Sequence, residues 1–256
     1  MNASGDQRYE GQFPPAASRL HLDKDVYWVV RMRVQYILGV VGCRWAGKTT
    51  ALSHLSENRD FSAYSLTGSL RSIARQAGIP FAPRVDLQDL GDEVRAQAGD
   101  GGRLARLTLQ RIRADHLTHL SGQRPPGRVV VGGFKHPGEV AVFERTGRFR
   151  LLVVKADDEV RFKRANDGGL LARELAEIDP ELEATRETFW EHIDRRDRQG
   201  GDERPWARGF GQSVDNVLTA GSDPVTIVNN EHSLVKFHQA VDEVVTNLDS
   251  RYRSPR

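Results

Sequence analysis

A single cysteine, Cys43, is all that this 256-residue chain contains. That excludes a disulfide framework and any cysteine-based zinc cluster, and it fits a reducing compartment. Charge of one sign is missing too: 37 Lys and Arg stand against 35 Asp and Glu, a net of +2, so no global field draws the chain to nucleic acid or membrane. No apolar run approaches the roughly 20 residues of a membrane span. The start, Met1-Asn2-Ala3-Ser4-Gly5-Asp6, carries no signal-peptide apolar region, so the expectation is a soluble cytoplasmic protein. The eight histidines show no metal-binding spacing, His116 with His119 included, and no H-x-E with P-C-x-x-C occurs, which excludes zinc deaminase chemistry. Internal repeats and low-complexity tracts are absent as well.

What the sequence does hold is a phosphate loop. Residues 42 to 49 read Gly42-Cys43-Arg44-Trp45-Ala46-Gly47-Lys48-Thr49, a complete G-x-x-x-x-G-K-T, directly after the apolar run Val34-Gln35-Tyr36-Ile37-Leu38-Gly39-Val40-Val41. A strand, a glycine loop and a helix start follow one another in the order a triphosphate needs. Glycine lets successive backbone N–H groups converge on phosphate oxygens, and the helix N-terminus adds positive potential. Lys48 can reach the outer phosphates and Thr49 can ligate Mg²⁺. The expected ATP contacts are Gly42, Arg44, Ala46, Gly47, Lys48, Thr49 and Thr50. Cys43, inside the loop, reads as a small residue, because a lone cysteine has no resolving partner for oxidation chemistry.

Around the loop, short apolar runs alternate with amphipathic stretches, the signature of a parallel sheet with crossover helices. The length suits one α/β domain, drawn over residues 34–248, with an N-terminal extension over 1–33 and a tail at 249–256. After the first strand, further strands are expected near Tyr64-Ser65-Leu66, at Val129-Val130-Val131, from Phe149 to Val154 and from Val225 to Val228. Helices are expected from Thr49, around Leu70, Arg71 and Ile73, and over Asp86 to Ala98, Leu104 to Leu120, Glu181 to Arg198 and Leu234 to Leu248. Asp157 stands where it can cap a helix through Val160, Phe162 and Ala165, and Pro137 suits the first turn of another.

Taken in one order, the phosphate loop, Ser65-Leu66-Thr67-Gly68-Ser69-Leu70-Arg71, the strand Val129-Val130-Val131 and the late cluster Arg195, Arg196 and Arg198 resemble the P-loop nucleoside monophosphate kinases. Within them the chain looks most like the deoxynucleoside monophosphate kinase and dephospho-CoA kinase-like branch. The resemblance implies an α/β fold with a five-stranded parallel sheet in the order 2-3-1-4-5 flanked by helices, an acceptor region between strands 2 and 3, and a mobile lid after strand 4. It implies ATP and Mg²⁺ as cofactors. On the same footing Arg71, Arg84 and Arg95 would face the acceptor phosphate, and Arg161 and Arg164 would belong to the lid side. Lys48, Arg195, Arg196 and Arg198 would then be catalytic. Arginine forks suit a reaction in which the protein mainly positions two anionic groups and spreads developing charge.

One departure stands out. Family members carry an acidic residue at the end of the third strand, in a pattern like Asp-Gly-Phe followed by Arg, whereas this chain reads Gly132, Gly133, Phe134 and Lys135. The change removes a carboxylate that would organise magnesium and replaces a bidentate arginine by a point charge. Glu139 is the nearest acidic substitute as a metal ligand, and stabilising a helix N-terminus is its other reading. The expected function is transfer of the γ-phosphoryl group of ATP to a (deoxy)nucleoside monophosphate. Two readings stand beside it: a nucleotide-binding regulator with weak or lost catalysis, and a kinase acting on a modified base in DNA, for which a near-neutral chain offers no broad basic groove. An oligomer is compatible with each.

Overall fold

β1 (Tyr36–Val41) is buried along its whole length, as a strand must be when helices cover both faces of a parallel sheet. The structure is a computed structural model that describes residues 34–78, 84–99, 101–118, 127–194, 217, 226–231 and 233–252. After β1 come α1 (Lys48–Asn58), β2 (Phe61–Ser65), α2 (Leu66–Gln76), α3 (Arg84–Ala98) and α4 (Arg103–Thr118). They are followed by β3 (Arg128–Gly132), α5 (Pro137–Glu144), β4 (Phe149–Lys155), α6 (Asp158–Asp167) and α7 (Leu170–Ile178). A short turn of helix at Arg186–Thr188 runs into a π-helical stretch, Phe189–Asp194, and β5 (Thr226–Asn229) and α8 (Leu234–Tyr252) close the order. The five strands pair in parallel in the order β2-β3-β1-β4-β5, the P-loop kinase arrangement expected from the sequence.

Alternation along β1 divides the core in two. Ile37 and Val41 point into a layer with Phe134, Phe143 and Phe149, under α2 to α5. Tyr36, Leu38 and Val40 point the other way, against α1 and against Phe237, Val241 and Val245 of α8. Each buried side chain of this size contributes about 1.5–3 kcal/mol, so the sheet is a rigid platform for whatever its loops carry. Gly39 is small for a reason: a Cβ there would lie 2.5 Å from Phe149 Cζ.

Three expectations change. The closing helix continues past Leu248 to Tyr252, because Asp249 is anchored by Tyr36 Oη at 2.9 Å and Arg128 Nη1 at 3.1 Å; the described start of the tail is therefore helix. The stretch from Glu181 to Thr185 is not helical. Helix resumes only at Arg186, where the Thr185 side chain accepts from Thr188 N, and α7 forms ahead of it. The pair Gly168-Gly169 separates α6 from α7, with Gly169 at φ 62°, a left-handed conformation that favours glycine. Asp157 does precede α6, but its side chain makes no capping hydrogen bond. The apolar sides of α6 and α7 meet Phe189 in a third, smaller cluster of Ala165, Leu171 and Leu175.

Candidate active site

The loop leaves the carboxyl end of β1 between its neighbours β3 and β4, the crevice where open α/β sheets take their ligands. Two of its glycines are required by contact. Gly42 has φ 152°, and a Cβ there would meet Val154 O at 2.2 Å; Gly47 has φ 106°, and a Cβ there would meet Asn230 Nδ2 at 2.0 Å. Trp45 adopts φ 56°, a left-handed conformation that is costly for a bulky residue. Its ring packs against Phe189 at 5.5 Å between centroids, so the third cluster offsets that cost.

The back of the loop is held by three side chains. Arg161 Nε of α6 donates to Arg44 O at 2.9 Å. One turn on, Arg164 Nη1 donates to Trp45 O at 3.1 Å and Nη2 donates to Asn230 O at 2.7 Å. Asn230, just after β5, donates from Nδ2 to Ala46 O at 2.8 Å and is itself tied to β4 through its N–H on Lys155 O at 2.7 Å. Three successive carbonyls therefore face α6 and the β5–α8 turn. In a planar trans peptide the next N–H points the opposite way, so the N–H groups of Trp45 and Gly47 turn away from the gripped side. Arg161 is 1% exposed, and burial lowers the proton affinity of Arg164 from the ordinary guanidinium range. Both still act as fixed donors.

The loop also borders a cavity of about 460 Å³ lined by Arg44, Trp45, Gly47, Lys48, Thr49, Thr50, Arg164, Asn230 and Leu234. Lys48 Nζ donates to Cys43 O at 2.7 Å, folded back over the loop, and Thr49 is exposed at the start of α1. Gly42 and Ala46 border an adjoining cavity of about 390 Å³ that also touches Asp157 and Glu231. The residues expected to contact ATP are thus assembled around one loop and two cavities.

The expected acceptor residues divide. Arg71 is exposed on α2. Arg84 opens α3, and its side chain lies outside the described residues, as do Arg195, Arg196 and Arg198. Arg95 is a correction: it is 2% exposed, with Nε and Nη2 on Glu139 Oε1 at 3.0 and 2.8 Å and Nη1 on Asp92 Oδ1 at 3.1 Å. Burial between two carboxylates keeps it from reaching an acceptor. Glu139 is fully buried, and its Oε2 accepts the N–H groups of Lys135 and His136 at 2.7 and 3.1 Å. Both oxygens are engaged by protein donors, which corrects the metal-ligand reading and fits the helix-start role. Together Arg95 and Glu139 fix the turn from Gly132 to His136 beside the loop.

Asn230 was not singled out by sequence reasoning. The signal was the polar pair Asn229-Asn230 directly after an apolar strand. Arg161 and Arg164 were noticed, as lid residues, but their spacing on one helical face is what lets both grip the loop.

No family model matches the chain. Over 196 residues it is 30% identical to a UPF0200 protein of Hyperthermus butylicus, with 70% of this chain and 87% of that one covered. The chain belongs to the UPF0200 family. The family name states no reaction. Among solved structures, shikimate kinase from Acinetobacter baumannii in complex with shikimate superposes over 88% of this UPF0200 chain and 99% of its own, at 14% identity and TM-score 0.39. A gluconokinase from Sinorhizobium meliloti does so over 86% and 98%, at 14% identity and TM-score 0.35. The sheet order and loop geometry of the UPF0200 chain stand by themselves, without support from likenesses that distant. Among the described residues no helix is long and apolar enough to cross a membrane.

Proposed function

We propose that this chain is a nucleotide kinase that binds ATP with Mg²⁺ at residues 42–49 and passes the γ-phosphoryl group to a (deoxy)nucleoside monophosphate. The observation that carries the reading is a complete phosphate loop whose carbonyls are held by Arg161, Arg164 and Asn230 and which borders a cavity lined by Lys48, Thr49 and Arg44 together with Arg164 and Asn230. Cationic side chains and room for several phosphates fit a nucleoside triphosphate. The kinase domain is drawn over residues 34–248, with the segment after β4, from Asp158, as its lid.

An acceptor phosphate oxygen would attack the γ-phosphorus as the bond to the β–γ bridging oxygen breaks, leaving ADP; the anionic acceptor gives up no proton. The chain contributes placement and charge. Lys48 would leave Cys43 O for the outer phosphates, and Arg71 and Arg84 would orient the acceptor. Arg195, Arg196 and Arg198 would approach the transferring group from the lid. Mg²⁺ bound with the nucleotide would neutralise phosphate oxygens, and Thr49 is the residue here that would hold it. Among the described residues no group of three or more His, Cys, Asp or Glu gathers to bind a metal, so phosphate and water would complete its shell.

A second reading, a nucleotide-binding regulator with weak or lost catalysis, draws support from Gly132. The space beyond that residue is taken by Leu52, whose Cδ1 would lie 2.5 Å from a Cβ. One experiment separates the two: γ-labelled ATP incubated with the protein and a panel of ribo- and deoxynucleoside monophosphates, dephospho-CoA and base-modified DNA. Transfer to a deoxynucleoside monophosphate is expected. Lys48→Ala should abolish that transfer and weaken ATP binding by about 10- to 100-fold, the worth of a charge-assisted contact, without unfolding the protein. Transfer only to dephospho-CoA or DNA would reassign the acceptor, and binding without transfer to anything would establish the regulator.

A further inference from the structure

Lys48 and Thr49 are the loop's expected phosphate ligands, but a second cation stands on the same loop. Nothing in the G-x-x-x-x-G-K-T pattern asks for a charge at its third position, where this chain has Arg44. Arg44 lines the same cavity as Lys48 and Thr49. Its guanidinium is nevertheless turned to a carboxylate of another element: Arg44 Nη1 lies 2.5 Å from Glu174 Oε2 on α7, and the two side chains are 8% and 15% exposed. The Arg44 backbone cannot follow a moving ligand, because Arg161 holds its carbonyl and the neighbouring Trp45 is packed on Phe189. The side chain, not the backbone, is the part of Arg44 that can turn from Glu174 toward the cavity.

We propose that Arg44 is a second phosphate-binding residue of this loop, held in reserve by Glu174 and handed to the nucleotide when a di- or triphosphate enters. The proposal rests on the nucleotide-binding reading above. A polyphosphate brings several negative charges into a partly buried site, where a single carboxylate competes poorly for a guanidinium fork shaped to grip phosphate. Removing one partner from a shielded ion pair leaves the other charge uncompensated, and here the phosphate takes over the compensation for Arg44. Glu174 is then released from Arg44, so α7 loses its ion pair with the loop. Filling the nucleotide cavity is thereby communicated to α7.

Binding of ATP, ADP and adenosine to the full chain, measured by calorimetry, tests this. Arg44→Ala is expected to weaken ATP and ADP by about tenfold or more while adenosine changes little, and Arg44→Lys should recover part of the loss. Glu174→Gln should tighten ATP severalfold in the parent and have no effect in the Arg44→Ala background. An Arg44→Ala protein that binds ATP like the parent overturns the proposal. So does one that loses ATP and adenosine by the same factor, which is the mark of a structural role. Unchanged or weaker ATP binding in Glu174→Gln overturns the reserve. If Lys48→Ala weakens ATP binding while these variants do nothing, only the role of Arg44 falls; if the parent itself does not bind ATP, the nucleotide reading falls with it.

Discussion

A side chain at position 132 has to displace Leu52. The nearest atom to a Cβ there is Leu52 Cδ1, and the other Leu52 atoms stand at 3.5 Å, so the obstacle is the tip of one side chain rather than backbone. Installing a carboxylate at this position is therefore a packing problem before it is a catalytic one. Gly132→Asp is expected to cost about 1–3 kcal/mol, the usual range for overpacking, as read by urea denaturation. Combining it with Leu52→Ala should cost less than the two single losses added together. Strict additivity would show that the two positions do not compete for one space.

Two contacts between elements set the frame around the loop. The first is the buried Arg95–Glu139 pair, which ties α3 to the β3–α5 turn. Glu139→Ala leaves two backbone N–H groups without their acceptor and a buried guanidinium with Asp92 alone of its two carboxylates. A loss of about 3–5 kcal/mol is expected, and chemical denaturation of that variant beside Asp92→Ala, whose carboxylate takes a single Arg95 contact, would show whether Glu139 is the dominant partner. The second contact lies between α1 and α8. There His54 stacks on His238 at 4.0 Å between ring centroids, and Asp242 accepts from His54 at 2.8 Å and from Arg59 at 3.1 Å. Burial, and after it the neighbouring His54, holds His238 below the ordinary imidazole value of 6.5, against the opposing pull of Asp242. The unfolded chain thus takes up this proton at a higher pH than the folded one. Stability from His238 is fully present above about pH 6.5 and is lost as the pH falls through the lower folded value. Melting temperatures measured from pH 7.5 down to 5.5 should drop less steeply in His238→Gln than in the parent; equal slopes would clear this histidine.

Across the whole molecule, what sequence could reveal was what is local or periodic. The loop is contiguous, and the buried strands read as apolar runs, so the parallel sheet was legible, while its order came from the resemblance to the P-loop kinases. Arg95 was legible only as a charge on a helix, because the carboxylate that occupies it lies on α5, 44 residues further along. Arg161 and Arg164 looked like lid arginines for the same reason: the loop carbonyls they hold are more than a hundred positions away. Helix α7 was missed because Gly168-Gly169 interrupts the pattern that would have announced it. The register of β1 carries a further consequence. Tyr36 pairs on one side with Arg128, and Ile37 pairs on the other with Phe149, so the most buried strand of the sheet is synthesised long before either of its neighbours. At ordinary elongation speeds the wait for the first of them is on the order of 5–20 s. Throughout that interval Tyr36-Ile37-Leu38-Gly39-Val40-Val41 is an unclaimed, uncharged β-forming segment on the nascent chain. Chaperone binding during translation, and aggregation when it is lacking, would fall on this segment first.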